Sequence, residues 1–92
     1  MASRTFTWDA GDGTSAADWT NSANWTGVGS GYPGDSVGTH VDTVIIPTGK
    51  DKCYVNAAIV IYDLTLDGVE TDTLVELQAN LEVTHDLLIT SG

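Results

Sequence analysis

After residue 41 the chain begins to alternate. Leu64-Thr65-Leu66, Val75-Glu76-Leu77 and Leu81-Glu82-Val83 each set apolar side chains on every second residue, with Thr or an acid between them. Successive side chains of an extended strand point to opposite faces, so this pattern turns one face into a core and leaves the other in water. No window holds apolar residues at the i, i+3, i+4, i+7 spacing of an amphipathic helix, so helix content is expected to be close to nil. The apolar runs at 44–47, 53–55, 59–66, 73–77, 81–84 and 87–90 are short and rich in β-branched residues. They predict an all-β fold of about six to eight short strands, either a small sandwich or a short β-helix-like coil. Within the longest run the inward phase slips between Ile61 and Leu64, which predicts a corner or bulge at Tyr62-Asp63.

The first part of the chain reads differently. Residues 9–40 hold most of the glycines and much of the Ser, Asn and Asp, without helical or alternating period. Such punctuation favours turns and irregular backbone. We therefore expect one all-β domain over residues 1–92, divided into an N-terminal arm or strand (1–8), an irregular loop (9–40) and a strand-rich core (41–92). The loop contains Trp19, Trp25 and Tyr32, with Trp8 just before it, and has few aliphatic residues. Four aromatics in such a segment are expected to be the anchors that hold it on the sheet, since each ring can bury about 150 Å² or more. The competing reading is an exposed tryptophan platform that stacks on sugar rings.

A domain of 92 residues buries only about 60–65% of the surface its unfolded chain exposes and has little stability to spare. Cys53 is the single cysteine, so no internal disulfide helps, and it reads as a half-buried strand residue. The segment 64–92 repeats loosely as apolar pair, polar turn, apolar pair, the pattern of a stacked coil. A solenoid needs about three repeats to bury a continuous core, and barely two are visible. The chain is therefore expected either to close as a sandwich or to complete its core with other chains. The strand predicted at 87–90 would leave an edge of unpaired N–H and C=O groups, so an oligomer is expected, most simply a trimer.

Charge excludes some partners. Three basic residues stand against thirteen acidic ones, for a net charge of −10. The imbalance is concentrated in residues 51–92, which hold eight acids and one base. Phosphate backbones and anionic membranes both require cations, so neither nucleic acid nor membrane is an expected partner. The first eight residues lack the apolar core of an export signal, and no run approaches membrane-spanning length. Nor is an enzyme indicated. His40 and His85 are far apart and in no metal-ligand spacing, Asp9, Asp12 and Asp18 do not follow a calcium-loop pattern, and Gly27-Val28-Gly29-Ser30-Gly31 does not lead from a strand into a helix. No catalytic residue, metal ligand or cofactor is predicted.

The order Phe6-Thr7-Trp8, Gly11-Asp12-Gly13, Trp19, Asn24-Trp25, Tyr32-Pro33-Gly34-Asp35, Val41-Asp42-Thr43-Val44-Ile45-Ile46-Pro47, Leu64-Thr65-Leu66 and Leu81-Glu82-Val83-Thr84-His85-Asp86-Leu87 resembles the N-terminal unit of β-helical bacterial surface proteins and of small phage virion proteins. Among the latter the chain is most similar to capsid decoration or cement proteins. That resemblance implies a non-enzymatic protein of the virion, made in the host cytoplasm and bound on the capsid exterior, where it bridges major capsid subunits as a homotrimer. On this reading Arg4 and Phe6 of the N-terminal arm and Leu87 and Ile89 of the last strand would contact neighbours. The alternative is a phage tail or surface module that recognises a receptor glycan.

Overall fold

A computed structural model describes residues 2–11, 15–36, 38–67 and 75–90. Its strands are β1 (Ala2–Trp8), β2 (Ala16–Asp18), β3 (Trp25–Thr26), β4 (His40–Pro47), β5 (Lys52–Val55), β6 (Ile59–Asp67), β7 (Val75–Leu77) and β8 (Leu81–Thr90). The one helical element among the described residues is a single 3-10 turn at Ser22–Asn24, capped by the Asn21 side chain. The all-β expectation is met.

The strands form two sheets, ordered β3-β1-β4-β6-β8 and β2-β5-β7, and every pairing except β1 with β3 is parallel. From β4 onward the chain alternates between the sheets, and each return lays a strand beside the previous one. That is a short parallel β-coil rather than a sandwich, whose sheets are antiparallel. Four successive strands stack in the larger sheet, more than the repeat visible in the sequence implied. The reason lies in the first turn of the coil. Val44 pairs with Leu64 and Leu64 with Leu87, but Phe6 pairs with Val44 almost twice as far along the chain. The loop between β2 and β4 is inserted into the first turn and breaks the period there. The region 9–40 is also not wholly irregular, since β2, the 3-10 turn and β3 lie within it.

Parallel pairing stacks like on like. Phe6, Val44 and Leu64 form one inward column, Ala17, Cys53 and Val75 another, and Ile61 with Val83 a third. Cys53 is fully buried rather than half-buried, and burial pushes its thiol pKa up, with the nearby Asp18 charge adding to the effect. Between Ile61 and Asp63 the register with β8 shifts by one residue, so Thr84 and His85 together oppose Tyr62. The bulge expected from the broken alternation is at that position.

The inserted loop closes the first end of the stack. Trp25, on β3, packs edge-to-face on Trp8 and Trp19, both with ring centroids at 4.9 Å, and on Phe6 at 6.1 Å. Every indole N–H has a carbonyl to donate to: Trp8 to Asp51 at 2.6 Å, Trp19 to Pro33 at 2.8 Å and Trp25 to Trp19 at 2.7 Å. The aromatics thus supply both apolar area and the hydrogen bonds that fix the loop, where a further coil would otherwise have to lie. Two glycines let the loop approach closely. Gly34 has φ +87°, and a Cβ there would sit 2.9 Å from Ile59 Cγ2, while one on Gly27, at φ +107°, would meet the Thr5 carbonyl oxygen at 2.5 Å.

An ion cluster ties the same loop to the sheet. Arg4 on β1 grips Asp42 on β4 with two bonds, Nε to Oδ1 at 2.8 Å and Nη2 to Oδ2 at 2.7 Å, and Nη2 also reaches Asp35 Oδ1 at 2.7 Å. Asp42 is 4% exposed and accepts a further hydrogen bond from the Gly34 amide at 2.8 Å. The Asp42 hydrogen bond is the main reason the guanidinium is held still more firmly protonated. Burial alone would raise the Asp35 carboxyl, but bonds from Arg4, the Tyr32 amide and Ser36 hold it below its ordinary value. Its contribution to stability is therefore present above the unfolded pKa of 3.8 and is lost as pH falls through the folded value.

Two substitutions test this sealed end. Arg4→Ala strands a buried carboxylate and is expected to cost about 3–5 kcal/mol in urea unfolding, with Arg4→Lys recovering only part because it cannot form the fork. Trp19→Ala is expected to cost about 3–5 kcal/mol, and the wild-type tryptophan emission should be blue-shifted and insensitive to added quencher. Either variant within 1 kcal/mol of wild type, as an order-of-magnitude bound, would contradict the arrangement.

Candidate functional site

The opposite end of the stack is open. Along the inward columns, exposure rises from 0% at Val44 and 3% at Leu64 to 56% at Leu87, and from 0% at Val55 to 61% at Leu77. Ile89, in register with Leu66, is 55% exposed, as is Leu88 on the outer column, while Leu81 and Val83 are half-buried. These residues obey the same alternation as the buried ones. They are exposed because, among the described residues, no strand pairs with the free edge of β8 and nothing covers β7 from that side. The result is a core cross-section facing solvent, bordered by a row of backbone donors and acceptors.

The bulge in β8 gathers polar groups beside this rung. His85 lies flat on Tyr62, with ring centroids 4.3 Å apart and planes within 1°. Its Nδ1 is 2.7 Å from Asp63 Oδ1 and 3.4 Å from Asp86 Oδ2. Asp63 Oδ1 also accepts the Asp86 amide at 3.1 Å, and Thr84 Oγ1 donates to the Ile61 carbonyl at 3.2 Å. A carboxylate can only accept, so the imidazole donates from Nδ1. The Asp63 bond is the chief cause of the raised His85 pKa, opposed by slight desolvation and helped by the charge of Asp86. This side-chain clasp spans β6 and β8 and holds the last rung on the stack. Its three donor groups lie within 4.8 Å of one another, so among the described residues this is also the set able to bind a proton or a small cation together. A groove of about 200 Å³, lined in part by His40, Val41, Val60 and Tyr62, runs nearby.

The residues predicted as contacts divide between the two ends. Leu87 and Ile89 stand on the open rung. Arg4 and Phe6 do not reach outward: β1 lies along β4 and is flanked by β3 at Thr7 and Trp8, Phe6 is 1% exposed, and Arg4 is committed to Asp42 and Asp35. These two residues are corrected as contacts of the arm accordingly. Trp8, Trp19 and Trp25 are buried in the seal, with Tyr32 packed against the core, so these rings offer no sugar-stacking platform. Of the three loop acids considered for a cation, Asp9 pairs with Lys50 at 2.6 Å, Asp18 lies on β2, and Asp12 is outside the described residues. The grouping of Asp63, His85 and Asp86 was missed in the sequence, because they come together only through the coil register. Aligning 59–67 under 81–90 would have found it.

The clasp has a pH signature. His85 should titrate above its ordinary value of 6.5, followed by NMR of the ring protons, and Asp63→Asn should return it toward that value. Because the folded pKa is the higher one, the stabilisation is full below the unfolded pKa of 6.5 and fades as pH rises through the folded value. The stability difference between wild type and His85→Gln should shrink over that interval, and a pH-independent difference would count against the clasp. Comparison of the chain with protein-family models, with curated proteins and with solved structures returned no match.

Proposed function

We propose that this chain is a non-enzymatic structural protein of a phage virion, a decoration protein that sits on the capsid exterior and stabilises the head by bridging major capsid subunits as a homo-oligomer. One observation carries the reading: the coil is sealed by tryptophans at one end and presents a complete apolar rung at the other. Large apolar side chains gathered on one exposed face of a small fold suit contact with another protein surface. Charge is compatible with it. All three cations are engaged within the chain, Arg4 with Asp35 and Asp42, Lys50 with Asp9 and Lys52 with Glu76, which leaves an acidic exterior suited to a basic surface on a larger shell. The setting on a capsid comes from the resemblance of the sequence, and the trimer expected from it is a stoichiometry that reconstruction of the particle reads directly.

Particles stripped of the protein should lose resistance to heat and to chelators, and adding back the wild-type chain should restore it while Leu87→Lys does not. Equal robustness with and without the protein would end the decoration reading.

A second reading, recognition of a glycan, has one observation in its favour. Tyr62 is exposed on the outer face, lines the groove with His40 and Val41, and lies next to the carboxylates of Asp63 and Asp86. His85 covers one face of the Tyr62 ring, and the stacked pair beside hydrogen-bonding groups offers a sugar an aromatic edge. A glycan array probed with wild type and Tyr62→Ala tests it: saturable binding lost in the variant supports recognition, and an array without hits rejects it.

A further inference from the structure

We propose that Asp63, His85 and Asp86 form a site for one divalent transition-metal ion, held by an imidazole nitrogen and two carboxylate oxygens, that fastens β6 to β8. The proposal is independent of the reading of the chain as a decoration protein.

The site is made by the bulge. Along a regular strand consecutive side chains point to opposite faces, so His85 and Asp86 would diverge. The register of β8 on β6 shifts between Ile61 and Asp63, which sets His85 over Tyr62 and leaves Asp86 in register with Asp63. The ligand atoms then converge: His85 Nδ1 is 2.7 Å from Asp63 Oδ1 and 3.4 Å from Asp86 Oδ2, and the three groups lie within 4.8 Å of one another. An ion with nitrogen and oxygen ligands at about 2.0–2.2 Å holds neighbouring ligand atoms about 3–3.5 Å apart, so small adjustments bring this set onto one ion. Its parts are already positioned. The Tyr62 ring, parallel to the imidazole at 4.3 Å, fixes the plane of His85, and the Asp86 amide holds Asp63 Oδ1 at 3.1 Å. Thr84 Oγ1, on the Ile61 carbonyl at 3.2 Å, secures the bulge itself.

Charge gives a second argument. Parallel pairing sets Asp63 directly beside Asp86, and like charges at paired positions oppose each other. Every Arg and Lys of the sequence is engaged elsewhere: Arg4 with Asp35 and Asp42, Lys50 with Asp9 and Lys52 with Glu76. The imidazole is the one cationic group that reaches both acids among the described residues, and when protonated it brings a single charge against two carboxylates. A divalent ion offsets both. On binding, the Nδ1 proton goes to solvent and the nitrogen lone pair goes to the ion.

The donor set selects the ion. One imidazole and two carboxylates suit Zn²⁺, Co²⁺ or Ni²⁺, whereas Ca²⁺ takes about six to eight oxygens and has no use for the nitrogen. Asp63 and His85 stand 22 residues apart in the chain and meet only through the coil register, so the ion binds the folded chain and stabilises it by mass action.

Isothermal titration calorimetry of the untagged chain, stripped with EDTA and dialysed, measures the binding with Zn²⁺ as the probe. One ion per chain is expected, with a melting temperature that rises as the site fills and falls back when EDTA is added. His85→Gln, Asp63→Asn and Asp86→Asn should each weaken binding about 10-fold or more, while His40→Gln, at the other histidine, leaves it unchanged. Tryptophan emission like that of the wild type establishes that these variants remain folded. A readout on the wild type itself is NMR with Co²⁺ in place of zinc, where the ring protons of His85 should show large paramagnetic shifts and those of His40 should not. Ca²⁺ at the concentration that saturates with Zn²⁺ should leave the melting temperature unchanged. Absence of zinc binding, several ions per chain with an affinity indifferent to the three ligand substitutions, Co²⁺ shifts at His40 in place of His85, or Ca²⁺ stabilising as well as Zn²⁺ would overturn the proposal.

Discussion

Everything in this molecule depends on a column of side chains being covered from both directions. In a parallel coil each strand buries its inward residues against the rungs before and after it, so no rung is stable by itself and the terminal rungs are the weak points. At the first end the problem is solved with three indoles, each locked by a hydrogen bond to a carbonyl: Trp19 and Trp25 from the inserted loop, and Trp8 from β1. At the other end, Leu87, Ile89 and Leu77 are exposed and no further strand lies on them among the described residues. The seal and the open rung are two answers to the same burial requirement, and the functional reading follows from the difference between them.

The charges reinforce that asymmetry. Asp42 is nearly inaccessible, yet it stays compatible with the core because Arg4 and the Gly34 amide satisfy it. Removing one partner from such a group costs far more than the pair contributes, so the cluster specifies where the loop sits more than it adds to stability. Lys50 and Lys52 are also paired to acids, so no cation among Arg4, Lys50 and Lys52 is left to offset the acidic excess elsewhere. Surface charge of one sign opposes contact between copies of the chain and favours contact with a basic surface.

How much of this was visible beforehand depended on the range of each interaction. Alternation at Leu64, Leu66, Leu81 and Val83 is a property of neighbouring residues, and it predicted strands, their inward faces and even the slip at Tyr62-Asp63. Whether those strands pair in parallel is a property of the connections, and short apolar runs carry no mark of it. The loop insertion then hid the first turn, so the coil looked too short to stand. Arg4 and Phe6 read as a free arm because nothing local tells a first strand that it will be flanked on both sides. The Asp63–His85–Asp86 clasp was hidden for the same reason: its members are neighbours only once the register is known.

The placement of the seal has a consequence for assembly. An unsealed coil with matching ends would add copies without limit, since each addition regenerates the surface that accepted it. Closing the first end with the Trp25 cluster covers the column there with a loop in place of another parallel strand. The tryptophans therefore do more than hold a glycine-rich loop in place. With β3 antiparallel to β1 at Thr7 and Trp8, they end the parallel stacking at β1. The same loop, through Gly34 against Ile59 and Val60, also braces the strand that supports β8.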